Sequence, residues 1–406
     1  MSVIAIHNGI YCHEEQYLSA IREATGYSYV TDDTVVDEAA RRSGISASRL
    51  RKAFDAKPSI FNSFTNDRER ARAWFRLIVA EHLAKDNMLF MGFTAMMVPT
   101  AVKHALRVCL IGNKETRITN AAAQGIGEGE AQKTLRARDS DAAEWVKHLT
   151  GNTDPWAAEL YDIVIPVDKS TPLEAAALVK EMLGREAVKP DEASRKYVQD
   201  VLLAAQVEVQ LASKGHFVQV VSEAGVVTLT VNGDVSDLER LGTNLRAAVI
   251  DMPGVEGVKV VGGRDIHAPS IYRQCNFELP NRVLVVDDER DFAQTLSQRL
   301  EVREMGSAVA YDGESALEIV ERDQPEVMIL DLKMPGVDGK EVLRRVKESR
   351  PEVEVIILTG QGSDSDRAEC MKLGAFAYLE KPVDIEQLSS VLLKANTKAR
   401  QNLKSA

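Results

Sequence analysis

The chain has 406 residues, 45% of them hydrophobic and 27% charged, and a formal net charge of −11 at pH 7. A chain of this length fits about two to four globular domains. The acidic balance argues against a nonspecific nucleic-acid binder, which presents a basic surface. Apolar stretches fall far short of the roughly 20 residues that span a membrane. Without a signal peptide or paired cysteine spacing, the sequence predicts a reduced, cytoplasmic protein.

Two changes in composition divide the chain. A helical pattern ends in a charged, proline-containing stretch at 184–191, and residues 262–280 carry glycine and proline without periodicity. Such stretches are typical of linkers. The predicted segments are an N-terminal domain at 1–187, a middle domain at 191–265, a linker at 266–280, a C-terminal domain at 281–396 and a polar tail at 397–406.

The N-terminal segment alternates strand and helix patterns, which predicts an α/β fold. In chain order the expected elements are a strand Val3–Ile6, a helix Glu14–Thr25 closed by Gly26, a helix after Asp32 through Ala40, strands Met88–Met91 and Leu106–Ile111, a helix over 128–149, and a strand Ile163–Val167 that Pro166 shortens.

This segment resembles the cytidylate kinase-like family of nucleoside monophosphate kinases. The resemblance rests on four short stretches, namely Tyr29–Asp33, Leu106–Leu110, Arg136–Asp139 and Tyr161–Ile165. It implies a nucleotide-binding fold with a phosphate-binding loop after the first strand.

The loop after that strand departs from the family pattern. Residues 7–15 contain one glycine and no lysine, whereas a phosphate loop needs bare backbone N–H groups and a basic side chain. Glu14 and Glu15 at the helix start would repel a triphosphate. We therefore predict that this domain has lost catalysis and that the chain is not an enzyme. The alternatives are a CMP-type nucleotide kinase regulated by the C-terminal domain, and a non-catalytic ligand sensor or dimerisation scaffold.

The middle segment has the predicted order αββαβ. Its elements are a helix over 191–212 capped by Asp191, strands 216–221 and 226–231, a helix over 235–250 and a strand 255–261. The stretches Val226–Gly233 and Gly254–Val258 are similar to those of a BON domain, which implies an interaction or ligand-binding module. A spacer domain is the alternative.

The C-terminal segment alternates short apolar runs with helical patterns. This indicates a doubly wound parallel sheet, whose buried strands are continuously apolar. The runs are Val283–Val286, Val327–Leu330, Val355–Leu358 and Phe376–Leu379, with a less apolar second strand at Ser307–Tyr311. The helical patterns are Phe292–Leu300, Ala316–Val320, Val342–Val346 and Leu388–Leu392.

Five polar residues follow these runs: Asp287, Asp288, Asp331, Thr359 and Lys381. Ligands of such sheets collect at the carboxyl ends of the strands, so these side chains are expected to converge. Three carboxylates suit Mg²⁺, which prefers oxygen ligands. An aspartate beside the metal can act as a phosphoryl acceptor, and a hydroxyl and an amine can bind phosphoryl oxygens.

The same segment resembles the receiver domain of bacterial two-component response regulators. The matching stretches are Val285–Glu289, Leu330–Gly336, Leu358–Gly360 and Glu380–Pro382. The resemblance implies a flavodoxin-like sheet of order 2-1-3-4-5, with Asp331 as phosphoacceptor and Asp287, Asp288, Asp331 and the Lys333 carbonyl as Mg²⁺ ligands. It also implies that Thr359 and Tyr378 form a conformational switch and that Pro382 follows a cis peptide bond.

The expected function is therefore a response regulator phosphorylated on Asp331 by a sensor histidine kinase. We expect no DNA-binding output domain, because only a polar tail follows the receiver. Output would then pass through a downstream protein partner or the upstream domains, and the expected assemblies include a homodimer.

Overall fold

The computed structural model describes residues 2–232, 235, 237–263, 274–360 and 362–405. They form two compact units, one drawn from the described residues of 1–58 and 67–273 and the other from those of 59–66 and 274–406. Most of the predicted linker, 266–273, lies outside the described residues, as does Gly233 of the BON-like stretch.

Residues 3–183 contain five parallel strands in the order β2-β3-β1-β4-β5. The elements are β1 (Val3–Asn8), α1 (Glu14–Thr25), β2 (Ser28–Thr31), α2 (Asp32–Ser43), α3 (Ala47–Arg51), α4 (Asn62–Thr65), α5 (Asp67–Leu83), β3 (Met88–Met91), β4 (Ala105–Ile111), α6 (Lys114–Ala123), α7 (Glu128–Thr150), β5 (Ile163–Pro166) and α8 (Pro172–Leu183). Of these, only α4 belongs to the second unit.

Local signals account for several of these boundaries. Gly26 ends α1 in the left-handed conformation that glycine adopts without steric penalty. A capping box between Thr171 and Glu174 begins α8, with Pro172 in its first turn. β5 ends at Pro166, as predicted.

The middle region has the predicted αββαβ order. Its elements are α9 (Glu192–Ser213), β6 (Gln219–Glu223), β7 (Val226–Val231), α10 (Leu238–Val249) and β8 (Gly257–Gly262). β7 is central, antiparallel to β6 and parallel to β8. The Asp191 side chain accepts the backbone N–H of Ser194 and so caps α9, as predicted.

The second unit contains five parallel strands in the order β10-β9-β11-β12-β13, which confirms the predicted flavodoxin-like order 2-1-3-4-5. Its elements are β9 (Val283–Val286), α11 (Arg290–Glu301), β10 (Ser307–Ala310), α12 (Gly313–Asp323), β11 (Val327–Leu330), α13 (Gly339–Ser349), β12 (Glu354–Thr359), α14 (Asp364–Lys372), β13 (Ala377–Glu380) and α15 (Ile385–Ser405).

The segment predicted as a polar tail continues the last helix. α15 runs to Ser405, and within it Ala399 is fully buried. Arg400 contacts the buried Glu326 carboxylate at 3.2 Å. The burial of Ala399 and the ion pair of Arg400 therefore hold this segment within the second unit, which its polar composition concealed. None of the described helices is long and apolar enough to cross a membrane.

Candidate functional site

The strands of the second unit end at one edge of the sheet, and the predicted site residues follow them directly. β9, β11 and β12 are buried along their whole length, so the first polar residue after each run is also the first that reaches the edge. The structure places Asp287 after β9 and Asp331 after β11, with Thr359 as the last residue of β12. Lys381 follows β13. Parallel packing thus brings distant parts of the chain together.

Three carboxylates meet at this edge. Asp287, Asp288 and Asp331 each offer an oxygen, and these three atoms lie within 4.8 Å of one another. Asp287 and Asp331 are buried, whereas Asp288 is exposed. We call these three side chains the acid cluster. Within the described ranges it is the one group of three or more His, Cys, Asp or Glu side chains close enough to share a metal ion.

Lys381 supplies positive charge to the acid cluster. Its Nζ lies 2.6 Å from Oδ2 of Asp287 and 3.8 Å from Oδ2 of Asp331. It also lies 4.2 Å from the centre of the Phe292 ring. Burial raises the pKa of Asp287 above its usual value, and the hydrogen bond from Lys381 opposes that rise. The lysine therefore helps to keep a buried carboxylate ionised.

The acid cluster suits a hard divalent cation. Oδ1 of Asp331 is buried and has no hydrogen-bond partner among the residues that the structure describes. A buried carboxylate oxygen without a partner is unfavourable, and a cation would satisfy it. Oxygen ligands with one solvent-facing side match Mg²⁺, which retains several waters.

Thr359 and Tyr378 lie near each other on the neighbouring strands β12 and β13. Thr359 is 1% exposed and Tyr378 is 7% exposed. The Tyr378 hydroxyl is buried without a hydrogen-bond partner among the described residues. It occupies the space that a Cβ atom on Gly362 would need, so the ring is turned toward the segment after β12.

The remaining predicted receiver features lie on neighbouring loops. Lys333 is exposed, two residues beyond Asp331. The peptide bond between Lys381 and Pro382 is cis, as the resemblance implied.

Gly339 is the first residue of α13 and lies close to the backbone of Asp331. A Cβ atom there would overlap the backbone of Asp331 and Leu332, which cannot rotate away. Gly339→Ala is expected to lower the stability of the second unit by about 1–3 kcal/mol through overpacking. Gly360→Ala is the matched control, because its Cβ would meet only Lys381 at ordinary contact distance. Thermal unfolding followed by circular dichroism measures both, and equal melting temperatures would contradict the expectation.

The first unit has a cavity of about 370 Å³ beside the carboxyl ends of its strands. Its lining mixes charges of both signs with aromatic side chains. The residues include Asn8, Glu14, Glu15, Asp32, Asp33, Phe93, Arg138, Asp139 and Trp156. Asp32 is held in place by the backbone N–H groups of Phe93 and Thr94, each at 2.8 Å. A polar cavity at this edge is where ligands of parallel α/β sheets bind.

The loop between β1 and α1 forms one wall of this cavity and turns without several glycines. Tyr11 and His13 adopt the left-handed conformation, with φ of 61° and 55°. Arg117 fixes the loop by donating to the carbonyl of Ile10 at 2.9 Å while it pairs with Asp139 at 2.7 Å. The Arg117 guanidinium is thus occupied by contacts within the domain, whereas the Arg138 side chain lines the cavity.

His7 is the second-last residue of β1, directly before the loop that lines the cavity. It is 1% exposed, its Nδ1 lies 2.7 Å from the Tyr161 hydroxyl, and its ring stacks on Trp156 with centres 5.0 Å apart. Burial lowers the pKa of His7 to about 4. The imidazole is therefore neutral at pH 7, and the sequence pattern alone indicates no role for it.

The buried His7 predicts acid sensitivity of the first unit. The unfolded chain takes up this proton near pH 6.5, but the folded chain does so only near pH 4. The unfolding free energy should therefore fall as pH drops from 6.5 to 4, by up to about 3 kcal/mol. Urea unfolding of wild type and His7→Gln across this range checks it. The difference in stability between the two proteins should shift in favour of the variant at low pH, and a constant difference would contradict the prediction.

Two family models match the chain. The model of the response regulator receiver domain matches residues 283–393. The model of the cytidylate kinase-like family matches residues 3–169. Each match covers one of the two regions for which the sequence indicated that resemblance.

Curated relatives and solved structures match the C-terminal region. The response regulator MprA of Mycolicibacterium vanbaalenii is 36% identical over 110 residues, which cover 27% of this chain and 48% of the relative. MprA of Mycobacterium leprae is 37% identical over 107 residues, covering 26% and 47%. The chain thus spans about half the length of these relatives. A receiver domain structure from Clostridium thermocellum is 34% identical and covers 30% of this chain and 97% of its own, with a TM-score of 0.29.

The prediction that the chain is not an enzyme, with an N-terminal domain that has lost catalysis, is contradicted by the match of residues 3–169 to a kinase-like family. That prediction rested on the single glycine and the absent lysine in the loop after β1, and on Glu14 and Glu15 at the start of α1. The structure shows why glycine content is a poor guide there, since Tyr11 and His13 adopt the left-handed backbone that glycine usually supplies.

Geometry and family matches agree on the organisation of the chain. The five-stranded parallel sheet with its acid cluster coincides with the receiver match, and the sheet with the 370 Å³ cavity coincides with the kinase-like match. The chain therefore carries a response regulator receiver domain at its C-terminal end and a cytidylate kinase-like domain at its N-terminal end.

Proposed function

We propose that this protein is a two-component response regulator whose Asp331 accepts a phosphoryl group from a sensor histidine kinase. The observation that carries the proposal is the position of Asp331, a buried carboxylate with one unpartnered oxygen, 3.8 Å from Lys381 and within the acid cluster. A carboxylate in such a setting is a competent nucleophile for phosphoryl transfer.

The residues around Asp331 would have separate roles in phosphoryl transfer. Asp287, Asp288, Asp331 and the Lys333 carbonyl would hold Mg²⁺, which would neutralise charge on the phosphoryl oxygens. An oxygen of Asp331 attacks phosphorus, and the bond between phosphorus and the donor imidazole breaks as the imidazole departs. Lys381 then shares its charge between Asp287 and a phosphoryl oxygen, and the Thr359 hydroxyl donates to another.

Phosphorylation would be transmitted through Thr359 and Tyr378. The new group adds roughly −1.5 to −2 charges beside a buried hydroxyl and draws Thr359 toward it. The Tyr378 ring lies next to Thr359 and follows its movement, which changes the surface near β13. A downstream protein partner or the upstream domains would read that change.

Phosphorylation by a small-molecule donor tests the proposal. The full chain is incubated with acetyl phosphate and Mg²⁺, and intact mass spectrometry measures the gain of one phosphoryl group. The expected modification requires Mg²⁺ and is prevented when EDTA is added before the donor. A chain that remains unmodified in the presence of Mg²⁺ would refute the assignment.

A nucleotide kinase activity is the second candidate function. It is favoured by the kinase-like match together with the cavity that contains Arg138, Asp32 and Asp33. A coupled assay of phosphoryl transfer from ATP to CMP and other nucleoside monophosphates tests it, with and without prior acetyl phosphate treatment. A rate that changes after phosphorylation would support regulation by the receiver, and no turnover in either state would exclude this candidate.

We further propose a cytoplasmic protein with domains at 1–187 and 191–265 and a receiver domain that begins at 281 and includes α15 to Ser405. The middle domain is proposed as a BON-like interaction or ligand-binding module, supported by its αββαβ order. A homodimer is the proposed assembly. Analytical ultracentrifugation before and after acetyl phosphate treatment tests that assembly.

A further inference from the structure

A short segment from the N-terminal part of the sequence completes the receiver core. Residues 59–66 belong to the second unit, although more than 200 residues separate them from its remainder. Phe61 is fully buried and joins the same hydrophobic cluster as Leu284, Met328 and Val346. We call residues 59–66 the strap.

Polar contacts fix the first half of the strap. The backbone N–H of Ile60 donates to Oδ1 of Asp323 at 3.2 Å, and Asp323 is itself only 2% exposed. The Arg282 guanidinium lies 5.0 Å from the centre of the Phe61 ring. The same guanidinium donates to the carbonyl of Gln324 at 3.0 Å and to that of Asp323. The strap therefore contacts a buried cation, Arg282, through the Phe61 ring, and a buried acid, Asp323, through the Ile60 backbone.

Shape and further hydrogen bonds fix the second half. A Cβ atom on Gly306 would overlap the Phe64 side chain, so glycine there leaves the space that Phe64 fills. The Asn66 amide donates to Sγ of Cys275, whose thiol contacts the carbonyl of Phe64 at 3.4 Å. The strap therefore lies in a recess with complementary shape and polarity.

The recess lies away from the acid cluster. Arg282 and Gly306 directly precede β9 and β10, so the recess is at the amino ends of the strands. Asp331 and its neighbours are at the carboxyl ends. Occupation of the recess thus leaves the phosphoacceptor edge open.

We propose that this recess is a docking site whose ligand is the strap of the same chain, so that the receiver stays attached to the N-terminal part of the protein even when residues 264–273 are cut. The buried aromatic ring, the matched cation and the matched carboxylate are the features of a specific binding site.

Cleavage of the full chain tests this proposal. A site for a sequence-specific protease is placed within residues 264–273, the purified protein is cut, and the fragments are separated by size-exclusion chromatography. The wild-type fragments are expected to elute together. Phe61→Ala should weaken their association by about 100- to 1,000-fold or more, the ratio that corresponds to loss of a buried aromatic side chain. Ile60→Ala is the matched control, because that side chain is 37% exposed while its backbone N–H is retained.

A peptide of residues 57–67 removes the ambiguity of a variant that folds poorly. Excess peptide is expected to displace the strap from the cut wild-type protein and release the receiver fragment, whereas a peptide with alanine in place of Phe61 should not. Cut fragments that separate at once without peptide, or that remain together both with peptide and in Phe61→Ala, would overturn the proposal.

Discussion

Asp331→Asn is expected to abolish phosphorylation of the chain by acetyl phosphate. The amide retains the shape of the carboxylate, but it lacks the negative charge and the nucleophilic oxygen that attack phosphorus. The contact between Lys381 and Asp287 at 2.6 Å does not involve Asp331, so the variant should fold normally. Intact mass spectrometry in Mg²⁺ measures the modified fraction, which should fall from a substantial value to none.

Asp291→Asn is the matched control for this experiment. Asp291 is an exposed acid in the first turn of α11, close in sequence to Asp287 but outside the acid cluster. That variant should be modified like the wild type. Modification that persists in Asp331→Asn would place the phosphoryl group elsewhere and remove the basis of the proposed mechanism.

Trp145→Ala is expected to lower the unfolding free energy of the first unit by about 3–5 kcal/mol. Trp145 is fully buried, contacts the Phe54 ring edge-on at 5.1 Å and donates its indole N–H to the Phe93 carbonyl at 2.8 Å. Alanine would leave a cavity and an unpaired carbonyl. All three tryptophans of the chain lie in this unit, so fluorescence-detected urea unfolding follows it selectively.

Trp74→Ala provides the comparison for this stability measurement. Trp74 is only partly buried at the margin of the same core, and its removal should destabilise the unit less. Equal losses for the two variants would show that Trp145 is not the anchor of this core.

The receiver and its site were predictable from the sequence for one physical reason. Strands buried on both faces are continuously apolar, so Val283–Val286 and Val327–Leu330 show where the strands end. The residues that follow such runs must lie at the carboxyl edge, so the sequence pattern alone places Asp287 and Asp331 together.

Other features left little local trace. α14 carries charges on all sides and shows no apolar stripe, so periodicity does not reveal it. The sequence around Phe61 does not indicate that this side chain belongs to the receiver core, because its partners lie more than 200 residues away. A left-handed backbone is uncommon for residues other than glycine, so the sequence did not indicate it at Tyr11 and His13. Tertiary packing, rather than local preference, decides each of these cases.

The strap also has a consequence for synthesis of the protein. Residues 59–66 leave the ribosome long before the strands that receive them are made. At about 5–20 residues per second, that interval is on the order of 10–40 s. During this interval Phe61 and Phe64 have no sheet to pack against, and they are candidates for capture by a chaperone. Completion of the second unit is therefore a late event that joins residues 59–66 to a sheet made more than 200 residues later.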